Sequence, residues 1–151
     1  MWARLDDNGH PAELIKEDPA GRFHPSLLFV PVPGELGEYI DGQYTWAEGG
    51  FAEPEQGYTQ AKRLKMFGER FTAAVNARLD QFAREKGYDD MSKARLAALG
   101  SEFAADGAVA NAAYDATWAA ALPLFGTLGN RPLADEVDIA LDELPELIWP
   151  E

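Results

Sequence analysis

The feature of this sequence that most constrains its fold is an apolar stripe between residues 64 and 82. Its members recur at intervals of three or four residues, the period of one face of an α-helix: Leu64, Phe67, Phe71, Val75, Leu79 and Phe82. The stripe predicts a helix from about Tyr58 to Lys86. A strict heptad register would place Arg78 and Gln81 on the seam, so a long coiled coil is disfavoured and weak self-association is a secondary expectation.

Two further helices are expected after the long one. Gly87 is a natural C-cap, and a short helix from about Met91 to Leu99 forms an elbow. Ser101 is expected to cap the next helix, from Glu102 to about Leu122. One face of that helix repeats at helical spacing: Phe103, Gly107, Ala110, Tyr114, Trp118 and Ala121. The alanines and Gly107 would let it lie close against the long helix, which predicts a helical hairpin.

The segment before residue 58 is predicted to be β-sheet. Residues 2–6 alternate between apolar and polar, Asn8-Gly9 offers the positive φ angles of a hairpin turn, and residues 12–16 can return antiparallel. An apolar strand over 27–30 is bracketed by prolines, which favour a sheet edge or the ends of a strand. Residues 42–47, a Gly49-Gly50 turn and a short return complete a small antiparallel meander.

The predicted fold class is therefore α+β: a small N-terminal antiparallel β-meander followed by a helical hairpin with a short helical elbow and an acidic C-terminal tail. The corresponding division is a β-meander subdomain over 1–57, the hairpin over 58–126 and an acidic tail rich in Pro, Leu and Trp over 127–151. Residues 58–101 carry more basic than acidic side chains, whereas both flanks are acidic. The basic block either packs beside the acidic flanks or forms a solvated helix face.

Composition excludes several classes of protein. The chain has 151 residues, 46% of them hydrophobic, which is typical of a globular domain. A net charge of −13 argues against nucleic acid as a direct partner, since phosphate binding depends on Lys and Arg. There is no cysteine for disulfides or thiolate chemistry. The start lacks the order of a signal peptide and no apolar run is long enough for a membrane span, so we expect a soluble protein made in the cytoplasm.

Candidates for catalysis or metal binding are few. His10 and His24 could ligate a metal together with nearby carboxylates, but no spaced ligand frame accompanies them, and turn histidines are the simpler interpretation. The neighbouring carboxylates Asp89 and Asp90 suit helix capping better than acid–base catalysis. No glycine-rich phosphate loop is present. We expect no catalytic residue, no metal and no cofactor.

The residues most suggestive of function are aromatic. Tyr44, Trp46 and Phe51 cluster around one predicted strand and turn, and Trp149 lies close to the end of the sequence. Such side chains are enriched at binding hot spots, and they serve equally well in a core. The four are therefore candidate partner-binding residues. The alternatives are a core role for the strand aromatics and, for Trp149, docking back onto its own domain.

Several short motifs, taken in order, resemble one family of proteins. They are an opening sheet segment over 12–25 with Phe29–Pro33 after it, a strand, glycine turn and proline over 42–54, an elbow over 83–90, a helix with Phe103, Gly107, Tyr114 and Trp118, and an ending over 144–150. This order is similar to that of the tail fibre assembly proteins of tailed bacteriophages and prophages. The sequence departs from the family pattern at Tyr114, where the family has tryptophan, and at Asp115, where it often has arginine.

The resemblance implies a non-enzymatic accessory protein or chaperone that binds a tail fibre polypeptide during trimerisation. Its location would be the cytoplasm of the bacterial host. One alternative is a structural tail component that is retained in the virion tail. The other is a small metal-dependent module.

Overall fold

The computed structural model describes residues 1–100 and 102–150. The chain forms two compact units, one over Met1–Arg63 and one that starts at Leu64. Five short strands precede four α-helices, so the fold is α+β, as predicted. The division into 1–57, 58–126 and 127–151 stays a prediction. No helix in the described part of the chain combines the length and the apolar character that crossing a membrane requires.

The main sheet has three antiparallel strands, β1 (Trp2–Leu5), β2 (Pro11–Ile15) and β3 (Phe29–Pro31), in the order β2-β1-β3. The predicted meander order is wrong, because β3 pairs with β1 and makes β1 the central strand. The strand order places β3 at a sheet edge and Pro31 at its end, in agreement with the prediction from the prolines, which have no N–H to donate. A separate hairpin consists of β4 (Thr45–Ala47) and β5 (Gly50–Ala52).

Both hairpin turns differ from the predicted ones. In the first turn only Gly9 has a positive φ, 81°, and Asp6 accepts hydrogen bonds from the N–H groups of Asn8 and His10, each at 2.9 Å. In the second turn the positive φ angles belong to Glu48 (52°) and Gly49 (83°), instead of the predicted Gly49-Gly50 pair. A two-residue turn of this kind requires positive φ angles at both of its residues. Because Ala47 pairs with Gly50, these two residues are Glu48 and Gly49.

A small core joins the strands of the first unit. Its buried members are Ala3, Leu5, Val30, Val32, Ile40 and Tyr44. Leu36, Trp46, Phe51 and Tyr58 pack against it and are partly buried.

The long helix, α1, spans Tyr58–Glu85, as predicted to within one residue. Glu53 caps its start by accepting hydrogen bonds from the N–H groups of Gly57 (3.2 Å) and Thr59 (2.8 Å). The predicted C-cap is confirmed: Gly87 has a φ of 94°, its N–H donates to the Arg84 carbonyl, and the N–H of Tyr88 donates to the Ala83 carbonyl.

Five of the six residues in the predicted apolar stripe of α1 are at least 98% buried: Phe67, Phe71, Val75, Leu79 and Phe82. Leu64 is the exception, because its side chain is 36% exposed. The stripe therefore indicates the core face correctly from Phe67 onward.

The elbow, residues 91–99, consists of helix α2 (Met91–Leu96) and a 3-10 turn (Ala97–Leu99). Asp90 caps α2 by accepting the Lys93 N–H at 2.8 Å, in agreement with the capping interpretation. Helix α3 then spans Ala104–Ala121. The predicted cap, Ser101, lies outside the described residues.

Helix α3 runs antiparallel to the part of α1 that follows Leu64. Near the start of α3, Asp106 accepts a hydrogen bond from Tyr88, just beyond the end of α1, at 3.1 Å. After α3 ends, the Phe125 ring lies 5.2 Å from the Phe71 ring, near the other end of this part of α1. These contacts agree with the predicted helical hairpin.

The predicted acidic tail contains one helix, which the predicted fold did not include. Helix α4 spans Leu133–Asp142 and buries Leu133, Val137 and Ala140. Arg78 of α1 holds the end of this helix, because its guanidinium donates to the carbonyls of Leu141 (3.0 Å) and Pro145 (2.9 Å). Five acidic residues among positions 133–144 leave only a weak apolar periodicity in the sequence, so this helix was not predicted.

Candidate protein-binding site

Tyr44, one of the four candidate partner-binding residues, belongs to the core. It is 1% exposed, and its hydroxyl forms a hydrogen bond of 2.5 Å with the Thr59 hydroxyl. Its ring meets the Tyr58 ring edge-on at 5.7 Å. The side chain therefore has no surface to offer a partner in this conformation.

Trp46 and Phe51 lie opposite each other on β4 and β5. Their rings are 4.8 Å apart at an interplanar angle of 69°, the edge-to-face geometry that aromatic pairs favour. Both are half-buried against the core of the first unit. Each retains some exposed surface, so their role in partner binding stays a prediction.

Trp149 docks onto its own unit. Its indole Nε1 donates to the Phe82 carbonyl at 2.7 Å, and the two rings stack in parallel at 4.4 Å. The Lys86 ammonium lies 5.7 Å from the centre of the same indole ring. The structure thus places Trp149 in the second unit and the other three candidates in the first.

The two histidines make local hydrogen bonds. The Nδ1 of His10 lies 2.7 Å from the Tyr44 carbonyl and must donate to it, so the first hairpin turn is tied to the segment that precedes β4. His24 is exposed and contacts the Ser26 hydroxyl at 2.8 Å. Among the described residues, no three His, Cys, Asp or Glu side chains converge as metal ligands would.

A polar cluster of the first unit centres on Asp41. Its carboxylate accepts hydrogen bonds from the Lys62 ammonium (2.5 Å), the Tyr58 hydroxyl (2.9 Å) and the Gln43 N–H (2.9 Å). Burial alone would raise the pKa of Asp41, but these donors, Lys62 first among them, lower it overall. The hydrogen bond between Asp41 and Tyr58 also raises the pKa of the Tyr58 hydroxyl. Asp41 therefore stays ionised near neutral pH and holds α1, which suits a structural role better than proton transfer.

A first exposed apolar surface lies in the loop that leads to β3. Phe23, Leu27 and Leu28 are 38%, 40% and 58% exposed, and they border an open groove of about 480 Å³. The Phe23 ring leans on the Phe29 ring at 4.7 Å. These three side chains belong to the loop that precedes β3, and Phe23 packs against that strand.

More exposed apolar side chains occur at and just after the elbow, and we define the elbow patch as Leu96 and Leu99 of the elbow together with Phe103, which directly precedes α3. These side chains are 57%, 85% and 55% exposed. Leu96 and Leu99 border an open groove of about 440 Å³, the elbow groove, together with Ser92, Arg95, Ala98 and Asn111. The elbow itself carries two basic residues and no acidic one, in a chain with a net charge of −13.

A close backbone contact supports this patch. A Cβ atom on Gly107 of α3 would lie 1.9 Å from the backbone nitrogen of Ala98 and 2.4 Å from its Cα. Such distances are impossible for any residue but glycine without movement of the backbone. Gly107 was predicted to bring α3 close to the long helix, and its close contact is instead with the elbow. The elbow that carries the exposed leucines is therefore packed closely against α3.

Sequence analysis identified the elbow as a short helix but not as a candidate site. A signal was present, since Leu96 and Leu99 are three residues apart in a segment with no other large apolar side chain after Met91. Periodicity alone could not show that both leucines face solvent.

Comparison of the chain with known protein families, with curated proteins and with solved structures gives no match.

Proposed function

We propose that this protein is a non-enzymatic accessory protein, or chaperone, that binds a tail fibre polypeptide of a tailed bacteriophage or prophage during trimerisation. The observation that supports protein binding is the elbow patch, where three large apolar side chains are more than half exposed. The choice of a tail fibre as partner rests on the resemblance of the sequence motifs to tail fibre assembly proteins.

Burial of the elbow patch would supply a substantial part of a binding free energy. Covering one large aliphatic or aromatic side chain contributes about 1.5–3 kcal/mol, so Leu96, Leu99 and Phe103 together could contribute several kcal/mol. A micromolar complex needs about 8 kcal/mol, so further contacts must complete the interface. Exposed apolar side chains that lie together are typical of protein-binding sites, and Leu96 and Leu99 border the same groove.

The charge distribution fits the same proposal. The chain has twice as many acidic as basic residues, which favours solubility and discourages nonspecific association between copies. The elbow is free of acidic side chains, so an apolar partner segment could approach it without burying a carboxylate. Acidic surface elsewhere would keep the complex in solution.

Co-expression with the fibre polypeptide encoded beside this gene would test the proposal. We expect soluble fibre trimer with the wild type, and at least a tenfold lower yield with Leu99→Asp or Phe103→Asp. The matched control is Leu122→Asp, since Leu122 is 66% exposed but lies after α3, outside the elbow. Equal trimer yields with and without the protein would refute the proposal.

The composition of purified virions would distinguish the accessory protein from a structural component. An accessory protein that leaves after assembly should be absent from the particles. Its stoichiometric presence would favour a retained tail component.

A further inference from the structure

Arg95 of the elbow groove has a guanidinium group that its own surroundings hold in place. Its Nε donates to Asn111 Oδ1 at 2.9 Å, and its Cζ lies 3.9 Å from the centre of the Tyr114 ring. Stacking and a hydrogen bond thus restrain the side chain from two directions. A restrained arginine loses less conformational entropy when it binds a ligand than a mobile one does.

Asn111 is itself oriented by α3. Its Nδ2 donates to the Gly107 carbonyl, one helical turn earlier, at 2.9 Å. That bond turns Oδ1 toward Arg95, so the amide can accept the Nε–H. The same Gly107 makes the close contact with Ala98, so Asn111 accepts from Arg95 beside the point where α3 packs on the elbow.

The two terminal amino groups of Arg95 are left for a ligand. Within the described residues, Nε is the side-chain donor of Arg95 that forms a hydrogen bond, and Arg95 borders the open elbow groove. Leu96 and Leu99 border the same groove. The site therefore combines a fork of donors, which suits a carboxylate, with adjacent aliphatic surface.

We propose that the elbow groove binds an aspartate or glutamate side chain that is flanked by aliphatic residues in the partner polypeptide. The carboxylate would accept two parallel hydrogen bonds from Arg95, and the flanking side chains would cover Leu96 and Leu99. This inference rests on the proposed function, because it assigns the chemistry of the partner segment.

A side-chain carboxylate fits the site better than the carboxylate at a chain terminus. Terminal carboxylates are commonly held by a nest of free backbone N–H groups. At the end of the elbow these groups are occupied, since the Ala97 N–H bonds to carbonyls of α2 and the Gly100 N–H bonds to the Ala97 carbonyl. The arginine fork is the anion-binding feature of the groove.

The probe for the test is a blocked hexapeptide with three Leu-Asp repeats, and its control is the Leu-Asn analogue. Titration of isotopically labelled full-length protein, followed by NMR, should show saturable shifts at Leu96, Leu99 and Asn111 with the Leu-Asp peptide. We expect the Leu-Asn peptide to bind at least tenfold more weakly, because it cannot accept a charge-assisted pair of hydrogen bonds. Equal binding of the two peptides would overturn the proposal.

Variants of the protein make the test specific. Arg95→Gln should weaken binding of the Leu-Asp peptide at least tenfold, whereas Lys93→Gln, with the same loss of charge on the same helix, should change it less than twofold. Tyr114→Leu retains the charge but removes the stacking, and should weaken binding about threefold to fivefold. If Arg95→Gln fails to fold, Arg95→Lys is the second variant. It preserves the charge but cannot donate the two parallel hydrogen bonds, so it should also weaken binding of the Leu-Asp peptide. Equal effects of the Lys93 and Arg95 substitutions would overturn the proposal in favour of nonspecific attraction.

The remaining outcomes separate this inference from the proposed function. If Arg95→Gln retains full fibre trimer yield while Leu99→Asp does not, the elbow binds the fibre without a carboxylate and only the inference fails. If the wild type fails to assist the fibre but discriminates between the two peptides, the site stands and the proposed function fails.

Tighter binding of a peptide with a free C-terminal leucine would overturn the choice of side-chain carboxylate. If sedimentation shows a dimer of the wild type that Arg95→Gln abolishes, the occupant of the elbow groove is a second copy of this chain. That result would overturn the proposal of a foreign partner.

Discussion

The indole of Trp149 donates a hydrogen bond of 2.7 Å to the carbonyl of Phe82, 67 residues earlier in the chain. This carbonyl lies in the last turn of α1, where carbonyls lack intrahelical donors. The N–H of Lys86, four residues after Phe82, donates to the Ala83 carbonyl instead. The indole therefore satisfies a helix-end carbonyl and at the same time stacks on the Phe82 ring.

Replacement of Trp149 should destabilise the protein. We expect Trp149→Ala to lower the free energy of unfolding by about 2 kcal/mol, since it removes both the stacking and the hydrogen bond. Trp149→Phe retains a ring and should cost about 1 kcal/mol. Urea denaturation would measure the stability of both variants. Ile148 is exposed, so Ile148→Ala is the control and should remain within about 0.5 kcal/mol of the wild type. Unchanged stability of Trp149→Ala, together with weaker fibre binding, would instead assign Trp149 to the partner interface.

Substitution of Gly107 should be far more disruptive than substitution of an unconstrained glycine. The added methyl group of Gly107→Ala would collide with the Ala98 backbone, which cannot yield as a flexible side chain can. We expect a loss of about 3 kcal/mol or more, measured by thermal or urea unfolding. Gly126→Ala is the matched control, because no atom lies within 4 Å of its added Cβ. A change of less than about 1 kcal/mol in Gly107→Ala would show that α3 can move away from the elbow.

Relief of backbone strain at Glu48 should stabilise the second hairpin. Glu48 has a φ of 52°, a left-handed conformation that glycine and asparagine adopt more readily than glutamate. We expect Glu48→Asn or Glu48→Gly to raise the free energy of unfolding by about 0.5–1 kcal/mol. Glu48→Ala removes the same charge without relieving the strain, and should not stabilise. Equal gains in all three variants would attribute the effect to charge.

The carboxylate of Asp41 should contribute to acid sensitivity. Its pKa in the folded protein lies below the ordinary value of 3.8, so its ionised form stabilises the fold. That contribution is complete above the unfolded pKa and is lost as the pH falls through the lower, folded pKa. Urea midpoints between pH 6 and pH 2.5 should therefore fall less steeply in Asp41→Asn, which is already less stable at pH 6. Parallel curves of urea midpoint against pH for the wild type and Asp41→Asn would show that Asp41 is not the group responsible for the acid sensitivity.

Features that depend on neighbouring residues could be predicted from the sequence. The spacing from Phe67 to Phe82 identified the buried face of α1 because helical periodicity is a local property of the chain. Gly87 was recognised as a C-cap because few other residues adopt a positive φ without strain. Pro31 indicated a sheet edge because proline has no N–H to donate.

Features that depend on distant residues emerged only in the folded chain. β1 became the central strand, Trp149 docked on Phe82, and Arg95 was stacked on Tyr114. In each case the partner is separated by many residues, and the choice among several possible partners depends on how the elements pack. Leu99 and Phe71 look equally apolar in the sequence, yet one is 85% exposed and the other fully buried. Their difference arises because burial is a property of the packed elements around a side chain, which local periodicity does not encode.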